Sequence, residues 1–525
     1  MIIHKEQIPY TDPQTGQQRY KLVVSYINKQ GNVSFLQYPI PQESMFEWKY
    51  ATRTSADPPF YEYDYDKNEY KLDENGNMIQ HQWMSYDKKF VRRVPTDKPL
   101  SDNRLVELLE SFGDKVAPVF EMNYPNTWYC DIEVEVTEDG FPEPEQALTP
   151  ITTISMTKHP QTIVWATKPL ESESDKDWIQ QQIDEYSEKN VKDERFKDIS
   201  KGYKFEFRCF PTEKEMLEDF VKFITPIPSI CGWNFLNFDW LYIYNRCQKN
   251  SVDLSCISPT RTNTEFKLTP RSGGATIKLP LPMHKMIWDY LLVIKTWALL
   301  NLGDYKLDTL ATHFLSLGKV EHSWDFISGY NKFYREYVFY NCIDTIILEQ
   351  LHNEAKTANV WFMLSAILKI ELNAAFSTIK PAETVMMVHE YARYRVFPSV
   401  KHQIPEAQEK YDGAFVWPSK PMIARYIGGL DFASLYPSII RQFLISPETF
   451  KYKKDVNEYK PTDDEIMTAS GAVYERKVDS MIPQILEKYY NMRKQAKGDM
   501  KTCEEEAEFL EEILERREKQ AAGKI

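Results

Sequence analysis

Three acidic residues alternate with apolar residues along the segment Tyr129–Glu135. In an extended strand, successive side chains point to opposite faces, so Asp131, Glu133 and Glu135 share one face. Carboxylates crowded together between apolar residues repel one another and lose hydration, a cost that a bound divalent cation offsets. Taken alone, the segment fits a surface-exposed strand face better than a metal site.

Two later segments add residues suited to the same chemistry. Gly232–Asp239 follows an apolar strand pattern and places Asp239 directly behind an aromatic residue, Phe238. Tyr340 and Asp344 are four residues apart, which puts a phenol and a carboxylate one turn apart on a helix. Each pattern is common on protein surfaces, so neither of them alone predicts catalysis.

The elements that would carry these residues are strands mixed with helices. Thr127–Val136 has the pattern of one buried strand and Ile151–Ala166 that of two more. Glu213–Thr225 has the spacing of an amphipathic helix, and Thr212 begins a capping box with the acidic residue three positions later. A long helical stretch is expected from 338 to about 370. This mixture predicts an α/β core around the carboxylates.

A fourth segment, Asp431–Ile440, places a carboxylate between a strand and a helix. The expected strand covers 423–432, and Pro437 fits the first turn of the helix that follows. Free backbone N–H groups at such a helix start favour a bound triphosphate. The segment therefore predicts a nucleotide site.

Taken together and in this order, the first three patterns resemble the Exo I (DxE), Exo II (Nx3FD) and Exo III (Yx3D) motifs of the exonucleases built into family B DNA polymerases. The metal ligands that the resemblance implies are Asp131, Glu133, Asp239 and Asp344. Tyr340 would orient the attacking water, while Asn234 and Phe238 would position the end of the DNA strand. Glu135 lies outside the family pattern and is expected to be structural.

The implied chemistry explains why the site needs several carboxylates. Two divalent ions, Mg²⁺ or Mn²⁺, activate a water molecule and stabilise the leaving 3′ oxygen. Hard cations of this kind prefer oxygen ligands. Two metal ions per active site are therefore the expected cofactors.

The sequence Asp-Phe-Ala-Ser-Leu-Tyr-Pro-Ser-Ile-Ile, which begins at residue 431, looks like the DxxSLYPSI motif A of the same polymerases. The resemblance implies that Asp431 bridges both metal ions of a polymerase site, with the Phe432 carbonyl as a further ligand. The backbone from Ser434 through Leu435 to Tyr436 would cradle the phosphates. Tyr436 would also lie under the sugar and exclude a ribose 2′-OH.

Basic residues near the end of the sequence extend the resemblance to the fingers. Arg493 and Lys497 lie four residues apart on one helix face and suit two phosphates, although such a pair is usually only solvated. Lys524 resembles the lysine that begins motif B (Kx3NSxYG). The sequence has no NSxYG, no DTD-type motif C and no thumb, so Asp431 lacks its second carboxylate. We expect a split gene whose second polymerase chain supplies the rest of motif B, motif C and the thumb.

Segments around motif A narrow the resemblance to polymerases of T-even-like tailed phages. They include Gly413–Val416 and Ile445–Thr449. The resemblance covers the chain from about residue 100 onward and is loose before that. It implies primer-template DNA and dNTPs as substrates, a sliding clamp as a further partner, and the cytoplasm of an infected bacterial host as the location.

Composition limits the classes of protein to which the chain can belong. Its 525 residues exceed what one core holds, since single cores stop growing at about 250–300 residues. With a formal charge of −13, any DNA contact depends on local basic strips. The seven cysteines include no CxxC pair, which argues against a zinc or redox site. No signal peptide is visible and Met286–Leu302 is too polar to span a membrane, so no membrane partner is expected.

These observations predict an α/β multidomain fold with a ribonuclease H-like 3′-5′ exonuclease, a partial α+β palm and helical-hairpin fingers. The expected domains are a β-rich N-terminal domain (1–126), the exonuclease (127–358), a return to the N-terminal domain (359–402), the first part of the palm (403–479) and the fingers (480–525). The hairpin would consist of helices Pro483–Lys497 and Thr502–Gln520 joined near Gly498. The charged residues 170–200 are expected to form a solvated insertion around a Trp178–Tyr186 helix.

Three functions fit the sequence. The first is a split polymerase that extends primers with a partner chain and proofreads. The second is a free-standing 3′-5′ exonuclease. The third is a non-catalytic DNA-binding remnant, which the intact set of exonuclease carboxylates argues against.

Overall fold

The computed structural model describes residues 1–64, 69–86, 89–138, 140–268, 277–298, 300–317, 324–377, 379–398, 418, 423, 425, 428–432, 434–476 and 479–521. The chain divides into two compact units, and each is described by itself. The first unit contains residues 1–40 and 112–381, and the second contains 41–111 and 382–525. Each unit is thus built from two separate stretches of sequence.

The first 126 residues are mainly strands, as their apolar runs and turn residues predict. The strands are β1 (Ile2–Thr11), β2 (Gln18–Ile27), β3 (Val33–Pro39), β4 (Phe46–Tyr50), β5 (Phe60–Tyr61), β6 (Tyr63–Asp64), β7 (Glu69–Tyr70), β8 (Gln80–His81), β9 (Met84–Ser85) and β10 (Val91–Pro95). Two helices follow, α1 (Asp102–Ser111) and α2 (Ala117–Phe120). Helix α1 was not predicted, although Leu105, Leu108 and Leu109 lie on its buried face at helical spacing.

The middle of the chain contains most of the helices. Its strands are β11 (Thr127–Val134), β12 (Ile151–Lys158), β13 (Gln161–Ala166), β14 (Lys204–Cys209), β15 (Ser229–Gly232), β16 (Asn263–Leu268), β17 (Ile277–Pro282) and β18 (Met286–Asp289). Its helices are α3 (Glu173–Asn190), α4 (Glu213–Ile224), α5 (Asp239–Lys249), α6 (Tyr290–Trp297), α7 (Leu307–Leu315), α8 (Phe326–Lys332), α9 (Tyr334–Ala355), α10 (Thr357–Leu368) and α11 (Leu372–Ala375).

The remaining elements follow in the second half of the chain. They are α12 (Ile379–Tyr391), β19 (Arg395–Val396), α13 (Leu435–Gln442), β20 (Phe450–Lys453), β21 (Glu465–Met467), β22 (Ala472–Glu475) and α14 (Met481–Ala521). In the second unit, β20, β22 and β21 form a small antiparallel sheet. Among the residues with assigned structure, no helix is long and apolar enough to cross a membrane.

A six-stranded mixed sheet organises the first unit, in the order β14-β13-β12-β11-β15-β18. Strand β12 runs antiparallel to β11, whereas β15 runs parallel to β11 and β18 parallel to β15. One core cluster lies on the side of α3, α7, α9 and α10, and a second lies on the side of α4 and α5. Helices cover both faces of the sheet, as the mixed pattern of elements predicts.

The capping box predicted for α4 is present in part. The Thr212 side chain accepts a hydrogen bond from the backbone N–H of Glu215 at 3.3 Å. The long helix expected from 338 to about 370 is instead two helices, α9 and α10. Lys356 separates them in the left-handed conformation, with φ of 51°.

The expectation of a solvated insertion at 170–200 is wrong for one face of this segment. Ile179, Ile183 and Tyr186 of α3 are buried in the core cluster that contains α9. These residues recur at spacings of four and three along the helix, and this spacing puts them on one face. The many charged residues of the segment occupy the remaining faces.

The predicted helical hairpin is also wrong, because α14 is one continuous helix of 41 residues. Gly498 costs a helix only about 1 kcal/mol relative to alanine, and no proline stands beside it. Its neighbours are good helix formers, so the helix continues through the glycine.

The strand predicted at 423–432 is not present among its described residues, 423, 425 and 428–432. Ile423 and Leu430 are fully exposed. A strand depends on hydrogen bonds to a neighbouring strand, and no described residue pairs with this segment. The helix that follows is present as α13 and contains Pro437 in its first turn.

Candidate functional site

Helix α9 lies across strands β11 and β12, and buried hydroxyl groups fix its position. The Tyr337 hydroxyl bonds Thr152 at 2.8 Å, and Thr345 bonds Thr157 at 2.7 Å. Tyr340 and Asp344 lie on this helix between the two anchors. The helix therefore holds them over the strand that carries Asp131.

Four of the predicted carboxylates come together at this place. Glu133 and Asp239 are buried, whereas Asp131 and Asp344 are half-buried. Burial raises the pKa of Asp131 to about 7. Burial and then the charge of Asp131 raise the pKa values of Glu133, Asp239 and Asp344 above their usual range. The four groups thus form an electrostatically coupled acidic cluster that is costly to ionise.

Three of these carboxylates accept hydrogen bonds from neighbours. The end of β15 at Gly232 leaves β11 without a strand partner on that side, and the Ile132 N–H donates to Asp239 at 3.1 Å. The Tyr340 hydroxyl donates to Asp344, whose charge raises the pKa of Tyr340. The Asn341 amide donates to Asp131 at 2.7 Å. These bonds fix the direction in which each carboxylate points.

The sequence did not single out Asn341, although it stands inside the Tyr340–Asp344 motif. Its side chain is fully buried, and its amide oxygen has no hydrogen-bond partner among the described residues. The buried hydroxyl of Thr153, which pairs with Glu133 across the sheet, likewise has none there. Both are polar atoms beside the acidic cluster that are available to bond a water or a ligand.

The donor set is suited to a divalent cation, but the side chains do not form a closed coordination shell. No three His, Cys, Asp or Glu side chains within the described ranges lie where they could hold a metal ion together. The chemistry nevertheless fits, because hard cations take carboxylate and carbonyl oxygens, and an added positive charge offsets the repulsion within the cluster.

A further buried carboxylate, Asp289, supports the loop that contains Asn234. Asp289 lies at the end of β18 and accepts hydrogen bonds from the backbone N–H groups of Asn234 at 3.1 Å and Leu291 at 3.0 Å. Burial raises its pKa to about 6. Asn234 and Phe238 are both half-buried on this loop. Asp289 was not predicted as a site residue, although its position at the end of an apolar strand is a sequence signal for such a role.

A row of aromatic side chains leads away from Tyr340. The Tyr340 ring lies 6.0 Å from Trp324 and 6.2 Å from Phe326, between ring centroids. Phe326 in turn lies 5.1 Å from Phe141, whose side chain is 56% exposed. The row thus connects the acidic cluster with solvent. Its members come from separate segments, so the row could not be predicted from the sequence.

Glu135, expected to be structural, is exposed just beyond the end of β11. Its backbone N–H donates to the Pro150 carbonyl at 3.0 Å. The described contacts of Glu135 are therefore made by its backbone and lie outside the acidic cluster.

The motif A residues lie in the second unit at the start of α13. Asp431 and Phe432 are exposed, and Asp431 has no hydrogen bond or ion pair to a described residue. Ser434 has a positive φ of 54° and caps α13 without a side-chain hydrogen bond. Leu435 is 41% and Tyr436 73% exposed. The backbone N–H groups at this helix start have no side-chain cap.

Helix α14 carries the predicted phosphate-binding pair. Arg493 and Lys497 are exposed on it, and no described contact joins them to Asp431. The first turn of α14 is fixed by Glu448, which accepts from the Met481 N–H, and by Ser446, which accepts from Ile482 at 3.3 Å. Lys524 lies outside the described residues.

Two models of known protein families match separate parts of the chain. A model of the DNA polymerase family B exonuclease domain matches residues 60–310, and a model of DNA polymerase family B matches residues 376–525. Asp131, Glu133 and Asp239 lie in the first match and Asp431 in the second. Tyr340 and Asp344 lie between the two matches.

Several polymerases are similar to the chain over much of its length. The DNA-directed DNA polymerase of Escherichia phage RB69 is 28% identical over 445 residues, and that of Enterobacteria phage T4 is 26% identical over 433 residues. Each alignment covers 79% of this chain and 46% of the relative. The DNA polymerase delta catalytic subunit of Caenorhabditis elegans is 27% identical over 312 residues, 56% of this chain and 28% of the relative. The chain spans about half the length of the phage relatives.

Proposed function

The chain belongs to DNA polymerase family B and carries that family's exonuclease domain, and from this premise we propose that it removes nucleotides from the 3′ end of DNA. The observation that carries the proposal is the acidic cluster, in which Asp131, Glu133, Asp239 and Asp344 come together beside Tyr340. Three of these five residues lie within the stretch that matches the exonuclease domain.

The proposed mechanism assigns a separate task to each group. Asp131, Glu133, Asp239 and Asp344 would hold two divalent ions, Mg²⁺ or Mn²⁺, which supply an activated water and stabilise the leaving 3′ oxygen. Tyr340, whose hydroxyl donates to Asp344, keeps its proton at neutral pH and can orient a water by accepting a hydrogen bond from it. Asp289 holds the backbone of the loop on which Asn234 would contact the strand end.

The aromatic row supports single-stranded DNA as the substrate of this site. Phe141 presents a ring to solvent, and Phe326 and Trp324 continue from it to Tyr340. Stacking of a base on an aromatic ring contributes about 1–3 kcal/mol and depends little on sequence. A frayed strand end can use such a row irrespective of its bases.

We infer a second function, the extension of primers with dNTPs together with a second polypeptide. It is favoured by the exposed carboxylate Asp431 close to the uncapped N-terminus of α13, within the stretch that matches DNA polymerase family B. The second polypeptide, from a split gene, would supply the rest of motif B, motif C and the thumb. A single carboxylate is a poor holder of two ions, so we expect no extension by this chain alone. We further propose that the chain engages a sliding clamp and acts in the cytoplasm of an infected bacterium.

A labelled primer annealed to a longer template tests both functions in one assay. With Mg²⁺ and without dNTPs, the chain should shorten the primer, and Asp131→Ala or Asp344→Ala should abolish shortening. With dNTPs, extension should occur only after the second polypeptide is added. Undiminished shortening by either variant would contradict the exonuclease assignment.

Two outcomes of this assay would favour the alternatives. Shortening without extension in any mixture would leave a free-standing exonuclease as the function. Binding of the primer-template without shortening or extension would indicate a non-catalytic DNA-binding remnant. Replacing Glu135 by glutamine serves as a control, because this exposed carboxylate lies outside the cluster and its loss should leave the rate unchanged.

A further inference from the structure

Asn341 occupies a place in the acidic cluster that neither the motif pattern nor the comparisons assign. It follows Tyr340 on α9 and turns towards β11, where its side-chain N–H donates to an Asp131 oxygen at 2.7 Å. Its side chain is 0% exposed. The bond joins residues that are 210 positions apart in the chain.

The charge of the donor distinguishes this contact from an ordinary ion pair. Within the described ranges, no lysine or arginine forms an ion pair with any of the four carboxylates of the cluster. A cationic donor at this position would compete with a divalent ion for Asp131. A neutral amide instead orients one carboxylate oxygen while it leaves the negative charge in place and the other oxygen free.

The other half of the same amide argues against a purely structural role. A buried amide that only tied helix to sheet would normally have both its oxygen and its nitrogen bonded. The Asn341 oxygen has no partner among the described residues, and leaving a buried polar atom unpaired is unfavourable. Glu349, two turns further along α9, provides the contrasting case. Its buried carboxylate accepts hydrogen bonds from the His159 N–H at 3.1 Å and from the Tyr203 hydroxyl at 2.8 Å, and no described contact joins it to the four carboxylates.

We propose that Asn341 is a positioning residue of the exonuclease site, which orients Asp131 for a divalent cation and leaves its amide oxygen beside the cluster to accept from a water. The proposal rests on the proposed exonuclease function. Groups that orient a metal ligand typically change metal affinity or activity by about 10–100-fold when they are removed.

The test compares Asn341→Ala with Glu349→Ala, a matched loss of one buried polar side chain on the same helix. Mn²⁺ binding is measured by titration with electron paramagnetic resonance detection, and single-turnover shortening of single-stranded DNA is measured against Mn²⁺ concentration. Asn341→Ala should weaken Mn²⁺ binding and raise the half-activating concentration by about 10-fold or more, with KM for DNA within about twofold. Glu349→Ala removes the acceptor of the His159 N–H and the Tyr203 hydroxyl, so it should lower the melting temperature but leave both metal constants unchanged.

Each remaining outcome contradicts the proposal. Metal constants within twofold of wild type in a folded Asn341→Ala protein would overturn it and leave the exonuclease function intact. Equal weakening by both variants would make Asn341 a structural anchor. A wild-type chain that neither binds Mn²⁺ nor shortens DNA would overturn both the exonuclease function and this inference.

If Asn341→Ala does not fold, Asn341→Ser replaces it in the same comparison and should be impaired in both metal constants.

Discussion

At the scale of single residues, the carboxylates of the cluster are held by three different neutral donors. A side-chain amide bonds Asp131, a backbone N–H bonds Asp239 and a phenol bonds Asp344. Neutral donors orient these groups without removing the charge that a metal ion requires. These donors offset the cost of burying the carboxylates only in part, and a bound cation would offset more of it.

This cost predicts that neutralising one carboxylate stabilises the metal-free protein. The pKa of Asp131 is raised by burial to about 7, so its ionisation destabilises the fold as the pH rises from about 4 through 7. In Asp131→Asn, the free energy of unfolding at pH 8 should increase by roughly 1–3 kcal/mol, while exonuclease activity is lost. Urea unfolding with a chelator present measures the change. A gain of the same size at pH 4 would contradict the electrostatic explanation, because Asp131 is protonated there.

The buried side chain of His352 predicts that stability changes with pH in the opposite direction. His352 lies among Trp288 and Tyr290 and bonds the Tyr129 hydroxyl at 2.6 Å, and burial lowers its pKa to about 4. As the pH falls, the histidine is therefore protonated in the unfolded state before it is protonated in the folded state. Its contribution to the free energy of unfolding is fully present above about pH 6.5 and is lost as the pH falls towards 4. In His352→Gln, the free energy of unfolding should fall by up to roughly 3 kcal/mol less between pH 6.5 and pH 4 than in the wild type. An unchanged slope between pH 6.5 and 4 in the variant would show that other groups cause the acid sensitivity.

At the scale of elements, periodicity and termini decide what the sequence can predict. The strands around Asp131 and the helix after Thr212 were predicted correctly, because apolar spacing and a capping residue are local signals. The continuity of α14 was not predicted, because Gly498 was interpreted as part of a turn between two helices. Lys356 carries no such local signal, so the break between α9 and α10 was not predicted. The aromatic row and Asn341 could not be predicted, because they depend on contacts between distant segments.

The continuity of α14 predicts the effect of replacing its glycine. No atom lies within 4 Å of a Cβ built on Gly498, so Gly498→Ala should raise the free energy of unfolding of the second unit by about 1 kcal/mol. Gly471→Ala is the matched control and should destabilise, since Gly471 has a φ of +84° and its Cβ would lie 2.1 Å from the Lys454 carbonyl oxygen. Circular dichroism during urea unfolding measures both changes. A loss of stability in Gly498→Ala would instead support a turn at this position.

At the scale of the whole molecule, the two candidate sites belong to different compact units. The acidic cluster lies in the unit formed by 1–40 and 112–381, and Asp431 lies in the unit formed by 41–111 and 382–525. The chain passes between the units three times, so neither unit is a continuous piece of sequence. The five sequence-based domains and their four boundaries stay a prediction, because composition and motifs do not reveal which distant segments pack together.

This division predicts that a metal ion stabilises one unit only. Each unit has its own apolar cluster, so calorimetry should resolve two unfolding transitions. Mn²⁺ at 100 times its dissociation constant should stabilise the transition of the first unit by about 2.7 kcal/mol and leave the other in place. Asp344→Asn should remove most of the shift. Equal shifts of both transitions would place a metal site in each unit or indicate that they unfold together.

The length of α14 makes it a lever arm. At 1.5 Å per residue, its 41 residues extend about 60 Å from the turn that Glu448 and Ser446 hold. Arg441 of α13 also pairs with Glu487 and lies over the Tyr490 ring, so α14 is held through its first ten residues. The part beyond Tyr490 is about 46 Å long, and a tilt of about five degrees at its base moves the far end by about 4 Å.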